Sequence, residues 1–180
     1  MNHESRPAQP PPTPAGGVDP ARFRQVAGRF ATGVTVVTTV AGGDDHAMTV
    51  NAFTSVSLEP LLVLVCVEKA ARFHDLVLES GLWAVSVLAD GMREASDWFA
   101  TRGRELDGQL SGWAHHRGAT GAAILTGSVA AIECRTHAVH DGGDHTIIVG
   151  EVLALSVPAP DARPLIFHEA RYRTLNDPAQ

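Results

Sequence analysis

The clearest indication of the fold is the segment MTVNAFTSVSLEPLLVLVCVEK, Met48 to Lys69. Its first half carries small and hydroxylated residues and ends at Glu59-Pro60. Proline cannot donate a hydrogen bond to a neighbouring strand, so Pro60 is expected at a break between two strands. The run from Leu61 to Val67 is rich in valine and too short for a helical core. It therefore predicts a strand that is buried on both faces.

Lys69 follows this apolar strand directly and is the only lysine in the chain. A polar strand, an apolar strand and a single cation at its end would suit a planar, anionic ligand. The same pattern is also compatible with an ordinary β core that carries serine and threonine on its solvent face. The residue pattern alone leaves both interpretations open.

Length, charge and cysteine content point to one globular domain. A chain of 180 residues can bury a core of its own. The formal net charge of −6 offers no basic surface for nucleic acid. Cys66 and Cys134 lie inside apolar strand patterns, which predicts free, buried thiols in a reducing compartment. No segment has the apolar length of a membrane span or a secretion signal, so we expect a cytoplasmic protein.

The chain divides into a tail and a single domain, with no internal repeat. Residues 1–18 contain QPPPTPAGG and are predicted to form a disordered N-terminal tail. Order is expected to begin at Asp19-Pro20, an N-cap residue followed by proline in the first helical turn. Helical spacing then continues to a stop at Gly33. We place the domain at residues 19–176.

The remainder of the domain is predicted to be mainly β, with a few flanking helices. Many strands and few helices indicate an antiparallel β-barrel. A segment rich in glycine interrupts the pattern and is interpreted as a long excursion that covers a site. The expected elements are helices over Arg72–Ser80 and Asp90–Thr101, strands over Val34–Val40 and Trp83–Leu88, the excursion Arg102–Gly121, and two long strands, Ala122–His140 and His145–Val157, around the turn 141–144.

Three motifs in this order resemble the short flavin reductases that partner two-component monooxygenases. They are FRQVAGRFATGVTVVTT (Phe23–Thr39), MTVNAFTSVSLEP with LVLVCV, and GDHTIIVGEV (Gly143–Val152). The resemblance covers roughly residues 20 to 175. It implies an antiparallel split β-barrel, a homodimer, and an enzyme that reduces FAD or FMN with NADH. The reduced flavin would pass to a flavin-dependent monooxygenase or halogenase.

The resemblance also implies which residues contact the cofactors. In the family, the segment matching 49–57 contacts the flavin ring and ribityl chain, and the strand end that follows lies beside the ring. Relatives hold the phosphate with a serine or threonine, whereas this chain has Glu68-Lys69-Ala70-Ala71-Arg72, which leaves FAD a serious candidate beside FMN. The expected cofactor contacts are Thr49, Val50, Asn51, Ala52, Ser55, Val56, Ser57, Cys66, Val67, Lys69, Arg72, Asp144, His145 and Tyr172.

His145 is the catalytic candidate. In the resembling family the matching histidine lies at the flavin face where the nicotinamide docks. The hydride passes directly from the nicotinamide to the flavin, so the contribution expected of His145 is orientation. Asp144 either orients the imidazole or is simply a turn residue. NADH is expected over NADPH because the sequence has no obvious arginine-rich pocket for a 2′-phosphate.

Two other functions remain open at this point. One is a non-catalytic split barrel that binds flavin or haem, and the other is a flavin-dependent oxidase of the pyridoxine-phosphate type. No metal is expected, because His115 and His116 are adjacent and point apart on any regular element. The chain also lacks the glycine-rich G-x-G-x-x-G dinucleotide loop.

Overall fold

The computed structural model describes residues 17–175, so most of the predicted tail and residue 176 lie outside it. No helix in this range is long and apolar enough to span a membrane. The helices are α1 (Pro20–Ala27), α2 (Phe73–Ser80) and α3 (Arg93–Ala100), with a 3₁₀ turn at Asp90–Met92, and the strands are β1 (Thr32–Gly33), β2 (Thr35–Ala41), β3 (Asp44–Val50), β4 (Phe53–Leu58), β5 (Leu61–Glu68), β6 (Leu82–Val87), β7 (His115–Arg117), β8 (Ala123–Leu125), β9 (Ala130–Gly142), β10 (His145–Ser156), β11 (Ile166–His168) and β12 (Arg171–Arg173).

Seven strands form one antiparallel sheet in the order β3-β2-β6-β9-β10-β5-β4. A three-stranded sheet, β1-β11-β12, and the β7-β8 pair complete the described part. The predicted class, mainly β and antiparallel with flanking helices, is confirmed. Strands β3 and β4 are the two edges of the large sheet, and the connection between them is only two residues long.

Strand β2 lies at the centre of the core. Its neighbouring residues Val36 and Val37 point to opposite faces, and each is fully buried in a separate apolar cluster. Strand β5 differs, because its inner residues Val63, Val65 and Val67 are buried whereas its outer residues Leu62, Leu64 and Cys66 are partly exposed. The prediction that Leu61–Val67 is buried on both faces is therefore wrong. Within residues 17–175, no element fully covers the outer face of β5.

The predicted turn positions are confirmed. Pro60 lies between β4 and β5, and Gly81 ends α2 in the left-handed conformation, with φ of 65°. The long hairpin of β9 and β10 turns through Gly143 and Asp144, where Gly143 has φ of 80°. A two-residue hairpin loop with a positive φ at its first position requires glycine there.

Three predicted boundaries are wrong. The single polar strand expected before Pro60 is two strands, β3 and β4, separated by Asn51-Ala52. Helix α1 ends at Gly28 instead of continuing to Gly33, because the chain then leaves to form β1. The expected single strand Ala122–His140 is two strands, separated by a turn in which Gly127 has φ of 86°. The hydroxyl of Ser128 closes this turn by donating to the carbonyl of the last residue of β8, at 2.8 Å.

The excursion Arg102–Gly121 lies along the open edge of β3. The Gln109 amide accepts a bond from the Ala47 N–H at 3.3 Å and donates one to the Asp45 carbonyl at 2.9 Å. The Arg104 guanidinium donates to the Ala47 carbonyl. These side chains satisfy backbone groups that an edge strand otherwise leaves unpaired. The excursion is thus anchored on its own chain.

Candidate active site

A cleft of about 570 Å³ is bounded by the ends of β3 and β5, the start of α2 and the segment after α3. Its volume lies within the range of roughly 300 to 1,000 Å³ that is usual for small-molecule sites. The lining residues are His46, Ala47, Met48, Thr49, Val50, Asn51, Ala52, Cys66, Glu68, Ala70, Ala71, Arg72, Phe73, Leu76, Phe99, Ala100, Thr101, Arg102, Gly103, Arg104, Leu106, Gln109 and His145.

The cleft brings together half of the residues expected to contact the cofactors. Ser55, Val56 and Ser57 lie instead on β4 at the far edge of the sheet, and Val67 is buried in the core. The expected residues that line the cleft are Thr49, Val50, Asn51, Ala52, Cys66, Arg72 and His145, whereas Ser55, Val56, Ser57, Val67, Lys69, Asp144 and Tyr172 do not line it.

Asn51 and Ala52 form the connection between β3 and β4, and neither belongs to a strand. The carbonyl of Ala52 accepts a bond from the Cys66 N–H at 3.0 Å, which holds this connection against β5. Burial raises the pKa of the Cys66 thiol, so the side chain is a neutral, weakly polar wall at neutral pH. Together these residues offer backbone groups and a small apolar surface to a flat ligand.

Tyr172 reaches the cleft only through other residues. Its hydroxyl lies 2.9 Å from the Ser96 hydroxyl, and the Ser96 carbonyl accepts a bond from the Thr49 hydroxyl at 2.7 Å. The guanidinium of Arg93 lies 5.1 Å above the Tyr172 ring. Tyr172 therefore supports Thr49 from behind α3.

The side chain of Lys69 contacts the turn between β9 and β10 and does not line the cleft. Its ammonium group pairs with the Asp141 carboxylate and donates to the Gly143 carbonyl at 2.7 Å. Its backbone N–H donates to the Asp144 carbonyl at 2.9 Å. The hydrogen bond from Lys69 lowers the pKa of Asp141. The structure thus gives no support to Lys69 as a phosphate ligand.

His145 is the first residue of β10 and faces Glu68 of β5 in the sheet register. Its side chain is partly exposed, and Nδ1 lies 2.7 Å from an oxygen of Asp144. This hydrogen bond lowers the pKa of the Asp144 carboxyl. When Nδ1 carries the proton and donates to Asp144, Nε2 is left as an acceptor for a ligand. Asp144 is thus both a residue of the turn and the hydrogen-bond partner of the imidazole.

Three arginines line the cleft, and only Arg72 was expected there from the sequence. Arg102 and Arg104 follow α3 in the segment Thr101-Arg102-Gly103-Arg104. The sequence did contain a signal for the other two. Arg102 and Arg104 lie close together directly after a predicted helix, in a chain that is acidic overall. Arg104 is partly buried, and this desolvation lowers the pKa of its guanidinium, with a smaller contribution from the charge of Arg72.

The donors in the cleft suit a phosphorylated, planar cofactor such as a flavin nucleotide. Among the described residues, Nδ1 of His46 and Nε of Arg104 are buried and have no hydrogen-bond partner. Guanidinium groups are the donors best matched to phosphate oxygens. These guanidinium groups line the cleft of a chain that lacks the phosphate-binding hydroxyl of the resembling family. The residues present therefore fit a phosphorylated cofactor.

The comparison with known proteins decides the family. Residues 27–176 match the model of the flavin reductase like domain. The chain belongs to this family. It is 41% identical over 168 residues to an NADH-dependent FAD reductase of Streptomyces globisporus, with 89% of this chain and 90% of the relative covered. It is 39% identical over 158 residues to the reductase subunit of a flavin-dependent monooxygenase of Rhodococcus jostii, with 88% and 79% covered.

Solved flavin reductases share the fold. The flavin reductase component of a bacterial two-component tryptophan halogenase superposes with a TM-score of 0.82 at 42% identity, covering 89% of this chain and all of that one. The NADH:FAD oxidoreductase of Streptomyces globisporus, in complex with NAD and FAD fragments, gives a TM-score of 0.83 at 40% identity, covering 92% of this chain and 100% of that one. The predicted family and its flavin reductase fold are confirmed.

Proposed function

We propose that this flavin reductase transfers a hydride from NADH to FAD or FMN and supplies the reduced flavin to a flavin-dependent monooxygenase or halogenase. The observation that carries the proposal is the cleft, which is lined by His145, by the Asn51-Ala52 connection and by three arginines. Relatives at 38–41% identity are named as NADH-dependent reductases of FAD, FMN or flavin. These names favour a reductase over a non-catalytic flavin or haem carrier and over a pyridoxine-phosphate-type oxidase.

The protein contributes mainly by positioning the flavin and the nicotinamide, and the cofactors supply the hydride chemistry. A bound flavin supplies the hydride acceptor. The backbone groups of Asn51 and Ala52 would hold the polar edge of the ring, and Cys66 would form part of the same site. His145, held by Asp144, hydrogen-bonds the nicotinamide and orients it toward the ring. Such orientation accounts for several orders of magnitude in rate because the reacting atoms meet in a productive geometry.

Arg72 and Arg102 bind phosphate groups at the mouth of the cleft. Arg72 precedes α2, so its guanidinium lies at the end of the helix where the dipole is positive. The presence of three arginines removes the sequence argument for NADH, which assumed that no arginine-rich pocket exists. The preference for NADH rests instead on the names of the relatives.

The cleft belongs to a homodimer in this proposal. Large apolar side chains are exposed on β4, β5 and β10, which are neighbours in the sheet; Leu58 is 87% and Leu155 66% exposed. Apolar surface on adjacent strands is typical of an interface. The excursion Arg102–Gly121 lies on its own chain, so the support for a dimer comes from the sheet face.

Anaerobic mixing of the protein with NADH and flavin tests the reaction. Bleaching of the flavin absorbance, catalytic in protein, is expected with FAD or FMN. Steady-state rates with each nicotinamide and each flavin then assign the preference. Flavin binding without bleaching would favour the non-catalytic alternative, and equal or better turnover with NADPH would overturn the coenzyme assignment.

Sedimentation tests the dimer. We expect a species of twice the 19.0 kDa chain mass, and a shift toward the monomer in Leu155→Glu. A charged side chain at an apolar interface is costly to desolvate. The control is Leu175→Glu, which alters another half-exposed leucine near the end of the described chain. A wild-type protein that sediments as a single 19.0 kDa species would overturn the dimer.

A further inference from the structure

The cleft carries a positive charge on a protein that is acidic overall. Its formally charged lining residues are Arg72, Arg102 and Arg104 against a single carboxylate, Glu68. The whole chain has a net charge of −6. Clefts lined by one sign of charge concentrate ligands of the opposite sign. The ligand expected here is polyanionic, and the single carboxylate among the cations requires an explanation.

The three arginines differ in how firmly they are held. Arg104 donates to the carbonyls of Phe99 and Thr101, both at 3.1 Å, and to the Gln109 amide oxygen at 2.9 Å. It therefore serves the fold and is not free to rearrange. Arg72 donates once, to the Arg104 carbonyl at 2.9 Å.

Arg102 is held by Glu68. One guanidinium nitrogen lies 2.6 Å from a Glu68 carboxylate oxygen, and this is the hydrogen bond that the described residues provide for the Arg102 side chain. The Arg102 side chain is 82% exposed and that of Glu68 34%. An exposed ion pair contributes little stability, so Arg102 can change partner at low cost.

Glu68 belongs to the other wall of the cleft. It is the last residue of β5 and faces His145 in the register with β10, whereas Arg102 follows α3. The ion pair therefore joins the His145 side of the cleft to the α3 side. A ligand that runs from His145 toward the arginines must pass this pair.

We propose that Glu68 is a built-in competitor for Arg102, which it holds in the free protein and releases to the pyrophosphate of an incoming dinucleotide. The inference rests on the proposed function. The planar guanidinium fork matches phosphate oxygens as well as carboxylate oxygens, and a pyrophosphate carries more negative charge than the single carboxylate of Glu68. Two adjacent phosphates engage Arg72 and Arg102 together, whereas a mononucleotide has one. The pair would thus favour dinucleotides over mononucleotides.

Calorimetric titration tests this without any need for turnover. The ligands are the dinucleotides NAD⁺ and FAD and the mononucleotides nicotinamide mononucleotide and FMN, which distinguish the nicotinamide source of pyrophosphate from the flavin source. Glu68→Gln should lower the dissociation constant of at least one dinucleotide about twofold to fivefold, the range that an exposed ion pair is worth. Arg102→Gln should raise it about tenfold, as expected for a lost charged hydrogen bond. The mononucleotides should change less.

The double variant and a matched control complete the test. If Glu68 acts only through Arg102, the double substitution should behave like Arg102→Gln alone. The control is Glu169→Gln, because Arg29 and Glu169 form a similar pair at 2.9 Å, 71% and 38% exposed, outside the cleft. It should leave every dissociation constant unchanged.

The outcomes separate this proposal from the proposed function. Active protein whose dinucleotide affinities are unchanged or weaker in Glu68→Gln overturns the competitor role alone, as does simple additivity in the double variant. Absence of turnover with every nicotinamide and flavin pair overturns the proposed function. Absence of binding by all four nucleotides overturns both.

Discussion

The ammonium group of Lys69 donates a hydrogen bond of 2.7 Å to the carbonyl oxygen of Gly143. With the ion pair to Asp141, this bond joins the end of β5 to the turn that presents His145. The single lysine of the chain therefore supports the side of the cleft assigned to the nicotinamide. Its loss should affect NADH more than flavin.

Replacing Lys69 by alanine should raise the apparent KM for NADH about threefold to tenfold, because one exposed, charged contact holding the turn is lost. The affinities for FMN and riboflavin, measured by fluorescence quenching, should keep their ratio. Arg135→Ala is the control, since Arg135 also forms an exposed ion pair on β9, with Glu151. If FMN binding weakened and riboflavin binding did not, Lys69 would be a phosphate ligand after all.

Replacing His145 by alanine should lower kcat/KM for NADH tenfold or more, which corresponds to about 1.4 kcal/mol of lost transition-state binding. The flavin dissociation constant should change little, because Asn51 and Ala52 are untouched. The control is His140→Ala, which removes an exposed histidine of the same hairpin outside the cleft. It should leave both kcat/KM for NADH and the flavin dissociation constant unchanged. A folded His145 variant with unchanged NADH dependence would place the nicotinamide elsewhere.

Replacing Gly150 by alanine should destabilise the protein by about 1–3 kcal/mol or more, because the core has no room for a further methyl group. A Cβ at this position would lie 2.3 Å from the ring of Trp83, which is fully buried. Gly33→Ala is the control, because a Cβ at Gly33 has no atom within 4 Å. Urea unfolding measures both, and equal midpoints would contradict the packing at Trp83.

The two cysteines should differ in reactivity. Burial raises the pKa of both thiols, that of Cys134 to about 12, and only the thiolate reacts with iodoacetamide. At pH 8 we expect Cys66 to react more slowly than free cysteine, to speed up as the pH rises, and to be protected by FAD. Cys134 should react only after unfolding. Mass spectrometry of the labelled peptides measures each site, and unprotected Cys66 would place the flavin away from β5.

Stability should fall at alkaline pH because of Cys134. Its pKa is about 12 in the folded protein against an ordinary 9.0, so the folded state retains the proton in this interval while the unfolded state releases it. The contribution of the Cys134 thiol to stability is therefore fully present below about pH 9 and is lost progressively up to about pH 12. In Cys134→Ala the slope over this window should be smaller, whatever its absolute stability. An identical slope in urea titrations would exclude Cys134 as the cause.

The positions of the turns and of the end of α2 were predictable, because they depend on single residues. Pro60 restricts the backbone and removes a hydrogen-bond donor, and Gly81 and Gly143 permit the positive φ that their positions need. The family was also available from contiguous motifs, whereas the break at Asn51-Ala52 was not expected. The features that were predicted need no knowledge of distant parts of the chain.

Contacts between distant segments were not predictable. The Lys69 side chain could have faced a ligand or the turn at 141–144, and only the β5-β10 register decides this. Arg102 joins the cleft through Glu68, 34 residues earlier. The outer face of β5 was expected to be covered because an apolar run does not reveal what lies above it.

The segment that lies along the edge of β3 has two roles. It pairs with backbone groups of the edge strand, and it lines the ligand cleft. Gln109 and Arg104 occupy backbone groups at Asp45 and Ala47, and both side chains also line the cleft. A change that released this segment would spoil the ligand site and expose a strand able to recruit another chain. Aggregation and loss of activity should therefore arise together in variants of this region, whereas variants at the hairpin turn should lose activity and stay dispersed.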